Sequence, residues 1–220
     1  MALQRHRTNF YRLTAEEFAA WRQIPPAVAS DCMNRGQVMH ARIKSIFTGQ
    51  VLCGQARTVQ AMVGDCLPIC EAIAVAEPGD VLVVDAGGVE DTAVWGGVMT
   101  FEASLRKLGG AVIDGAVRDV ADIRAANFPM FCRAAVPRGP HHGFGGVVDG
   151  VASVAGVAVS PGDIVLANDD GVVIVPLPQR AAILQLALAH LVREEGWITD
   201  LRAGKTIKEL FGFPEPIILS

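Results

Sequence analysis

The chain has 220 residues with a formal net charge of −4, 51% hydrophobic and 19% charged. That composition excludes wholesale disorder, because so much apolar surface offsets the entropy of ordering. Mean hydropathy is +0.35, yet the longest run free of Asp, Glu, Lys and Arg, residues 150–162, falls short of the roughly 20 apolar residues of a spanning helix. The opening MALQRHRTNFYRL has charge but no apolar stretch of the signal-peptide kind. An acidic chain without a Lys/Arg run is a poor direct partner for nucleic acid. Five cysteines, odd in number and without a CxxC spacing, argue against a disulfide framework and a structural zinc site, and suit free thiols in a reducing cytoplasm.

In chain order, residues 13–23 read as a helix with a capping box, Thr14 at the cap and Glu17 three positions on, stopped by Pro25 and Pro26. A second short helix is predicted over 26–36, a strand over 51–59 running on to 63, and a helix over 66–76. Pro78-Gly79 then launches a continuous apolar run to Asp85, the mark of a strand buried on both faces, and the same phrase returns at Pro161-Gly162, leading into 164–168. Between them lie a predicted helix 97–108, a strand 111–114, a helix 120–126 and a strand 129–135. A glycine-rich loop and hairpin over 139–154, a strand 171–175, a long amphipathic helix 179–197 and a last helical turn at 205–211 complete the reading. Alternating strands and helices predict an α/β fold with a mixed, partly parallel central sheet. The length suits one domain, 1–220, with helical extensions over 1–26 and 179–220.

Two stretches carry chemistry. In GGAVIDGAVRD, residues 109–119, a buried strand ends at Asp114-Gly115 and the pair Arg118-Asp119 follows. Ligands usually bind at the ends of strands in such sheets. Arg118 can fork onto a carboxylate and Asp119 is a hard oxygen donor; a solvated ion pair capping the next helix is the plainer alternative. In WGGVMT, residues 95–100, two glycines before a helix leave backbone N–H groups open to a small anion, as an ordinary loop-to-helix turn also would. Neither matches a nucleotide-binding pattern. His141-His142 reads as surface loop, because adjacent side chains diverge. Cys66 and Cys70 share a helix face as two thiols or a soft-metal pair, and Asp169-Asp170-Gly171 reads as a tight turn. Asp85 and Asp114 close apolar strands as turn formers or as supports to a neighbouring site.

GDVLVVDAGG, WGGVMT, GGAVIDGAVRD and DDGVVIVP together resemble the 4-hydroxy-4-methyl-2-oxoglutarate aldolase family, over roughly residues 29–213. That family also includes regulators of ribonuclease E activity, and older labels call some members demethylmenaquinone methyltransferases. The resemblance implies a swivelling β/β/α domain assembled as a homotrimer or hexamer. It also implies a divalent-metal aldolase, using Mg²⁺ or Mn²⁺, that releases pyruvate from a 4-hydroxy-2-oxo acid through an enolate and also decarboxylates oxaloacetate. By position, Asp119 matches the direct metal ligand and Arg118 the arginine on substrate oxygen. Gly96, Gly97, Val98 and Met99 match the loop whose amides hold the pyruvate carboxylate. Glu194 or Glu195 matches an acidic residue reaching in from a neighbouring subunit. One position departs: the aldolases carry Asp or Glu where this chain has Gly97. No lysine suited to an imine route lies near these motifs, Lys107 standing away from the start of its helix. The competing class is a non-enzymatic regulator that binds a ribonuclease.

Overall fold

The computed structural model describes residues 2–219. A strand β1 (Leu3–Arg5) comes first, then two helices, α1 (Ala15–Trp21) and α2 (Pro26–Cys32), and a two-residue strand β2 (Lys44–Ser45). The body is a run of β3 (Leu52–Ala61), α3 (Leu67–Val75), β4 (Asp80–Asp85), β5 (Ala93–Trp95), α4 (Gly97–Leu105), β6 (Gly110–Val117), α5 (Val120–Ala125) and β7 (Met130–Ala135). Three short strands follow, β8 (Gly146–Val148), β9 (Ala152–Val154) and β10 (Val157–Val159). The hairpin of β11 (Ile164–Asn168) and β12 (Gly171–Val175) leads to the long α6 (Arg180–Arg202) and to α7 (Ile207–Phe211).

β3, β4, β6 and β7 lie side by side in parallel. β4 accompanies β6 as far as the Asp85–Asp114 pair, and β5 takes over its place along β6 from Ala93–Ala116 onward. β11 and β8 pair antiparallel with β3, β12 with β11 and β2 with β7, while β1 runs parallel to β8. The mixed, partly parallel α/β sheet expected from the sequence is therefore present, with the long helix near the C-terminus. Among the described residues no helix is long and apolar enough to cross a membrane.

The continuous apolar run in β4 is explained by burial on both faces. Leu82 and Val84 join Ile69, Ile73, Ala103 and Ile123 beneath α3, α4 and α5. Val81 and Val83 join Val154, Val159 and Val165 on the side of the β9–β10 hairpin. A third cluster, with Trp21, Val28, Ile164, Val175, Ile183 and Ala187, fastens α1, α2 and α6 to the β11–β12 hairpin. The Thr14–Glu17 capping box closes in both directions.

Several boundaries differ from the sequence reading. β6 does not end at Asp114 but runs to Val117, with a register shift between Ile113 and Ala116. The Asp-Gly pair that reads as a turn is thus an irregularity inside a strand. Within residues 2–26 the helical part is Ala15–Trp21, and Leu3–Arg5 adds an edge strand instead. α6 continues five residues past Trp197 to Arg202, because Gly196 alone does not stop a helix this long. β1, β2 and β5 carry no sequence signal of their own, being two or three residues long.

Candidate active site

β5 and β6 are parallel neighbours, with Trp95 opposite Val117, so their carboxyl ends release the two motifs side by side. From β5 the chain passes through Gly96 into α4, and from β6 through Arg118 and Asp119 into α5. The Arg118 N–H donates to the Trp95 carbonyl at 2.9 Å and ties the two exits together. Trp95 is buried, stacks on Phe128 at 5.8 Å, and donates its indole N–H to Thr100 Oγ1 at 2.8 Å. Thr100 in turn donates to the Gly96 carbonyl at 3.0 Å. The start of α4 is held rigidly against the sheet.

Asp119 stands at φ 58°, ψ 44°, a left-handed conformation that Asp tolerates better than most residues but that still stores strain. It occupies the cap position of α5 but makes no side-chain bond to that helix. Instead its Oδ2 accepts the Gly97 N–H of α4 at 2.9 Å. Of the plainer reading, a solvated ion pair capping the next helix, the solvated pair is present at the cap position but the capping side-chain bond is not: Asp119 reaches across to the neighbouring helix. Arg118 Nε lies 3.5 Å from the same oxygen, and both side chains remain about two-fifths exposed, at 43% and 41%. The first turn of α4 spends its Gly97 amide on Asp119, and helix bonding begins with Thr100 N–H to the Gly96 carbonyl. The Val98 and Met99 N–H groups therefore have no partner within the helix, as at any helix start.

Two glycines shape the arginine. A Cβ on Gly96 would fall 2.6 Å from Asp119 Oδ2 and 3.2 Å from Arg118 Nε. A Cβ on Gly139 would fall 2.5 Å from Arg118 Nη1. The guanidinium thus lies against bare backbone at both positions. Gly139 carries no sequence signal for this role, because it meets Arg118 only through space. A groove of about 320 Å³ opens here, lined by Arg118, Asp119, Val120, Ala135, Val136 and Pro137.

The remaining sequence-derived positions lie elsewhere. Asp114 is buried and accepts from Arg133 and from the Ala155 N–H, so its carboxylate is committed to fastening the β9–β10 hairpin. Burial, and secondarily the nearby Asp114 charge, raise the Asp85 carboxyl above its ordinary value despite its bond from the Gly87 N–H. Glu194 and Glu195 sit on α6, where Glu194 pairs with His190 at 3.3 Å; α6 packs chiefly against α2. His141 serves through its backbone, accepting from the Cys66 N–H at 3.0 Å, while its ring meets Phe144. Burial pushes the Cys66 thiol up and the Cys70 thiol up to about 11, so both stay protonated at neutral pH. Asp169 and Asp170 form the two-residue turn of the β11–β12 hairpin, as the sequence suggests. Among the described residues no three His, Cys, Asp or Glu side chains cluster as a metal cage.

These features define a class: an α/β protein that presents a carboxylate, a guanidinium and a glycine-opened helix start at the carboxyl edge of parallel strands. Residues 27–174 match the model of the RraA-like family, described as Aldolase/RraA, and the chain belongs to that family. A family relative from Halalkalibacterium halodurans is 35% identical over 167 residues, 76% of this chain and 80% of its own. The 4-hydroxy-4-methyl-2-oxoglutarate aldolase of Thermus thermophilus is 32% identical over 149 residues, 68% of this chain and 90% of its own. The crystal structure of Streptomyces coelicolor RraAS2, described as an unusual member of the RNase ES inhibitor RraA protein family, superposes with a TM-score of 0.76 at 26% identity, covering 85% of this chain and 98% of that one.

Proposed function

We propose that the chain is a divalent-metal-dependent carbon–carbon lyase. It cleaves a 4-hydroxy-2-oxo acid, such as 4-hydroxy-4-methyl-2-oxoglutarate or 4-carboxy-4-hydroxy-2-oxoadipate, to release pyruvate, and it decarboxylates oxaloacetate. The observation that carries this reading is the convergence of Asp119, Arg118 and the start of α4 at one strand edge. The aldolase name of the Thermus relative supports it.

The donor set suits a hard cation. Asp119 gives one oxygen to a single N–H and is two-fifths exposed, and among the described residues no metal-cage cluster of His, Cys, Asp and Glu includes it. One carboxylate and a retained water shell fit Mg²⁺ or Mn²⁺ and do not fit zinc. Bound at Asp119, such an ion supplies Lewis acidity toward the keto oxygen of the substrate. The Val98 and Met99 N–H groups, at the positive end of α4, take the substrate carboxylate, with Gly96 and Gly97 leaving room for it. Arg118 faces the oxygen on which charge grows as the C–C bond breaks, and its planar fork is fixed before reaction.

The chain works as one domain whose sites lie near subunit boundaries in a homotrimer or a pair of trimers, with Glu194 or Glu195 of a neighbouring subunit facing the site. Exposed Val98, Phe101 and Leu105 on one face of α4 support this. Sedimentation of a stable 23.3 kDa species at micromolar concentration overturns the assembly.

The test of the activity is pyruvate release from each acid with Mg²⁺ or Mn²⁺ added. Asp119→Ala is expected to abolish turnover and weaken Mn²⁺ binding together. Arg118→Ala keeps Mn²⁺ affinity and loses about a hundredfold in rate, roughly 3 kcal/mol, and Arg118→Lys recovers little. Likeness to RraAS2 favours a second reading, a regulator that binds a ribonuclease. No pyruvate from any acid, together with tight ribonuclease binding, replaces the first reading with the second.

A further inference from the structure

Cys66 and Cys70 stand out in the sequence, and the candidate site uses neither. They lie one turn apart at the start of α3, where the Cys70 N–H donates to the Cys66 carbonyl at 3.0 Å, so the turn between them is helical. That turn is fixed in place. The Leu67 N–H donates to Asp65 Oδ1 at 2.9 Å, the Cys66 N–H to the His141 carbonyl at 3.0 Å, and Pro68, Ile69, Ala72 and Ile73 are buried. Cys70 is exposed and Cys66 partly so, which leaves the pair open to solvent. Burial raises both thiols, and beyond it each acts on the other: Cys70 eases the loss of the Cys66 proton, and Cys66 opposes that of Cys70. The two sulfurs therefore face one another. Such a pair can close a disulfide or share a metal ion, and distance decides. Side chains one helical turn apart have Cβ atoms about 5–6 Å from each other, whereas a disulfide wants about 3.5–4.5 Å. A sulfur–metal–sulfur bridge, with two bonds of about 2.3 Å, spans the gap without unwinding the turn. Coordination number then selects the ion. Structural zinc and iron–sulfur clusters need four ligands, and among the described residues no group of three His, Cys, Asp or Glu side chains gathers to hold a metal. Cuprous ion is soft, prefers thiolates and is satisfied by two of them in a near-linear array.

We propose that Cys66 and Cys70 bind a single cuprous ion, a site that stands apart from the lyase reading. As the two Cu–S bonds form, both thiols release their protons to solvent and no electron is transferred. Two thiolates and one monovalent cation leave an anionic complex, and the Arg118 charge, which reaches Cys66, favours it.

The experiment is an anaerobic titration of the full chain against Cu(I) held by bicinchoninate, whose coloured copper complex bleaches as the protein takes the ion. The parent is expected to withdraw one equivalent per chain, and X-ray absorption at the copper edge to show two sulfur neighbours and no nitrogen. Cys66→Ser and Cys70→Ser, each melting like the parent, are expected to leave the copper with the chelator. The double variant Cys70→Ser/Glu71→Cys keeps five cysteines but turns one thiol about 100° round the helix, at the cost of the exposed Arg5–Glu71 pair. It is expected to fail in the same way. A variant with alanine at Cys32, Cys53 and Cys132, which leaves only the pair, withdraws the full equivalent. Copper withdrawn at the parental level by Cys70→Ser or by the relocated thiol overturns the proposal, as does a parent that leaves all the copper with the chelator. Loss of binding in a folded triple-alanine variant overturns it too, and assigns the copper to adventitious thiols elsewhere.

Discussion

Two Arg–Asp groups in this molecule use the same residue types to opposite ends. Near the N-terminal segment, Arg57 donates from Nε to Asp149 at 2.7 Å and lies 3.4 Å from Asp80, which Arg12 also pairs with. The Arg57, Asp149 and Asp80 side chains are only 9%, 2% and 1% exposed. Burial works against the Arg57 charge, but the two carboxylates outweigh it and hold its pKa raised. At the strand edge, Arg118 and Asp119 touch at 3.5 Å, stay largely open and leave donors and acceptors free. The first group is saturated and holds β3, β4 and the 149–150 turn together. The second is unsaturated, held in a left-handed backbone, and available to a ligand. Residue identity does not distinguish them; burial and the count of spare lone pairs and N–H groups do.

The comparison is sharpest in a pair of alanine variants followed by urea unfolding. Arg57→Ala strands the buried Asp149 carboxylate while Asp80 keeps Arg12, and is expected to cost about 3–5 kcal/mol of stability, whereas Asp119→Ala, losing part-exposed contacts to Gly97 and Arg118 and placing alanine in a left-handed backbone, is expected to lose only about 1 kcal/mol. Equal losses in the two proteins break the distinction. A smaller effect is expected at Gly139. Alanine there pushes on the far end of a flexible side chain, not on backbone, so the fold absorbs it and Arg118 moves. Turnover then falls by about tenfold, or 1.4 kcal/mol, at unchanged melting temperature; a drop in melting temperature with full turnover assigns Gly139 to packing instead.

The smallest effect concerns a third carboxylate, Asp65, which is buried and accepts from the N–H groups of Leu67, Gly143, Phe144 and Gly145. Burial alone would raise its pKa, but the four N–H groups together hold it below the ordinary carboxylate value. A carboxyl lowered on folding stabilises the protein above its unfolded pKa, about 3.9, and loses that contribution as pH falls through the folded value. Asp65→Asn is expected to lose about 1 kcal/mol at neutral pH and to show a shallower decline on acidification below about pH 4. An acid-unfolding curve parallel to the parent's removes Asp65 from this role.

The legible parts of the fold were those where local chemistry and tertiary demand agree. Pro78-Gly79 and the apolar run after it specify β4 because both faces of that strand are covered. Asp114-Gly115 misled because the same dipeptide that makes a turn in solution is held in β6 by Arg133 and the Ala155 N–H, which no local pattern announces. β5 was unreadable at three residues, yet it positions half the candidate site. Arg118 and Asp119 stood out as charge after a buried strand. Gly139 did not, since its significance lies in what it touches across space.

β5, α4, β6 and α5 are consecutive, so Asp119, Arg118 and the α4 amides all come from residues 93–125. In genetic terms this is one short, uninterrupted run of codons resting on a sheet whose remaining strands serve as its platform. Recombination that exchanges such a run would carry Arg118, Asp119 and the α4 amides together and leave behind Gly139, which meets the Arg118 guanidinium from outside it.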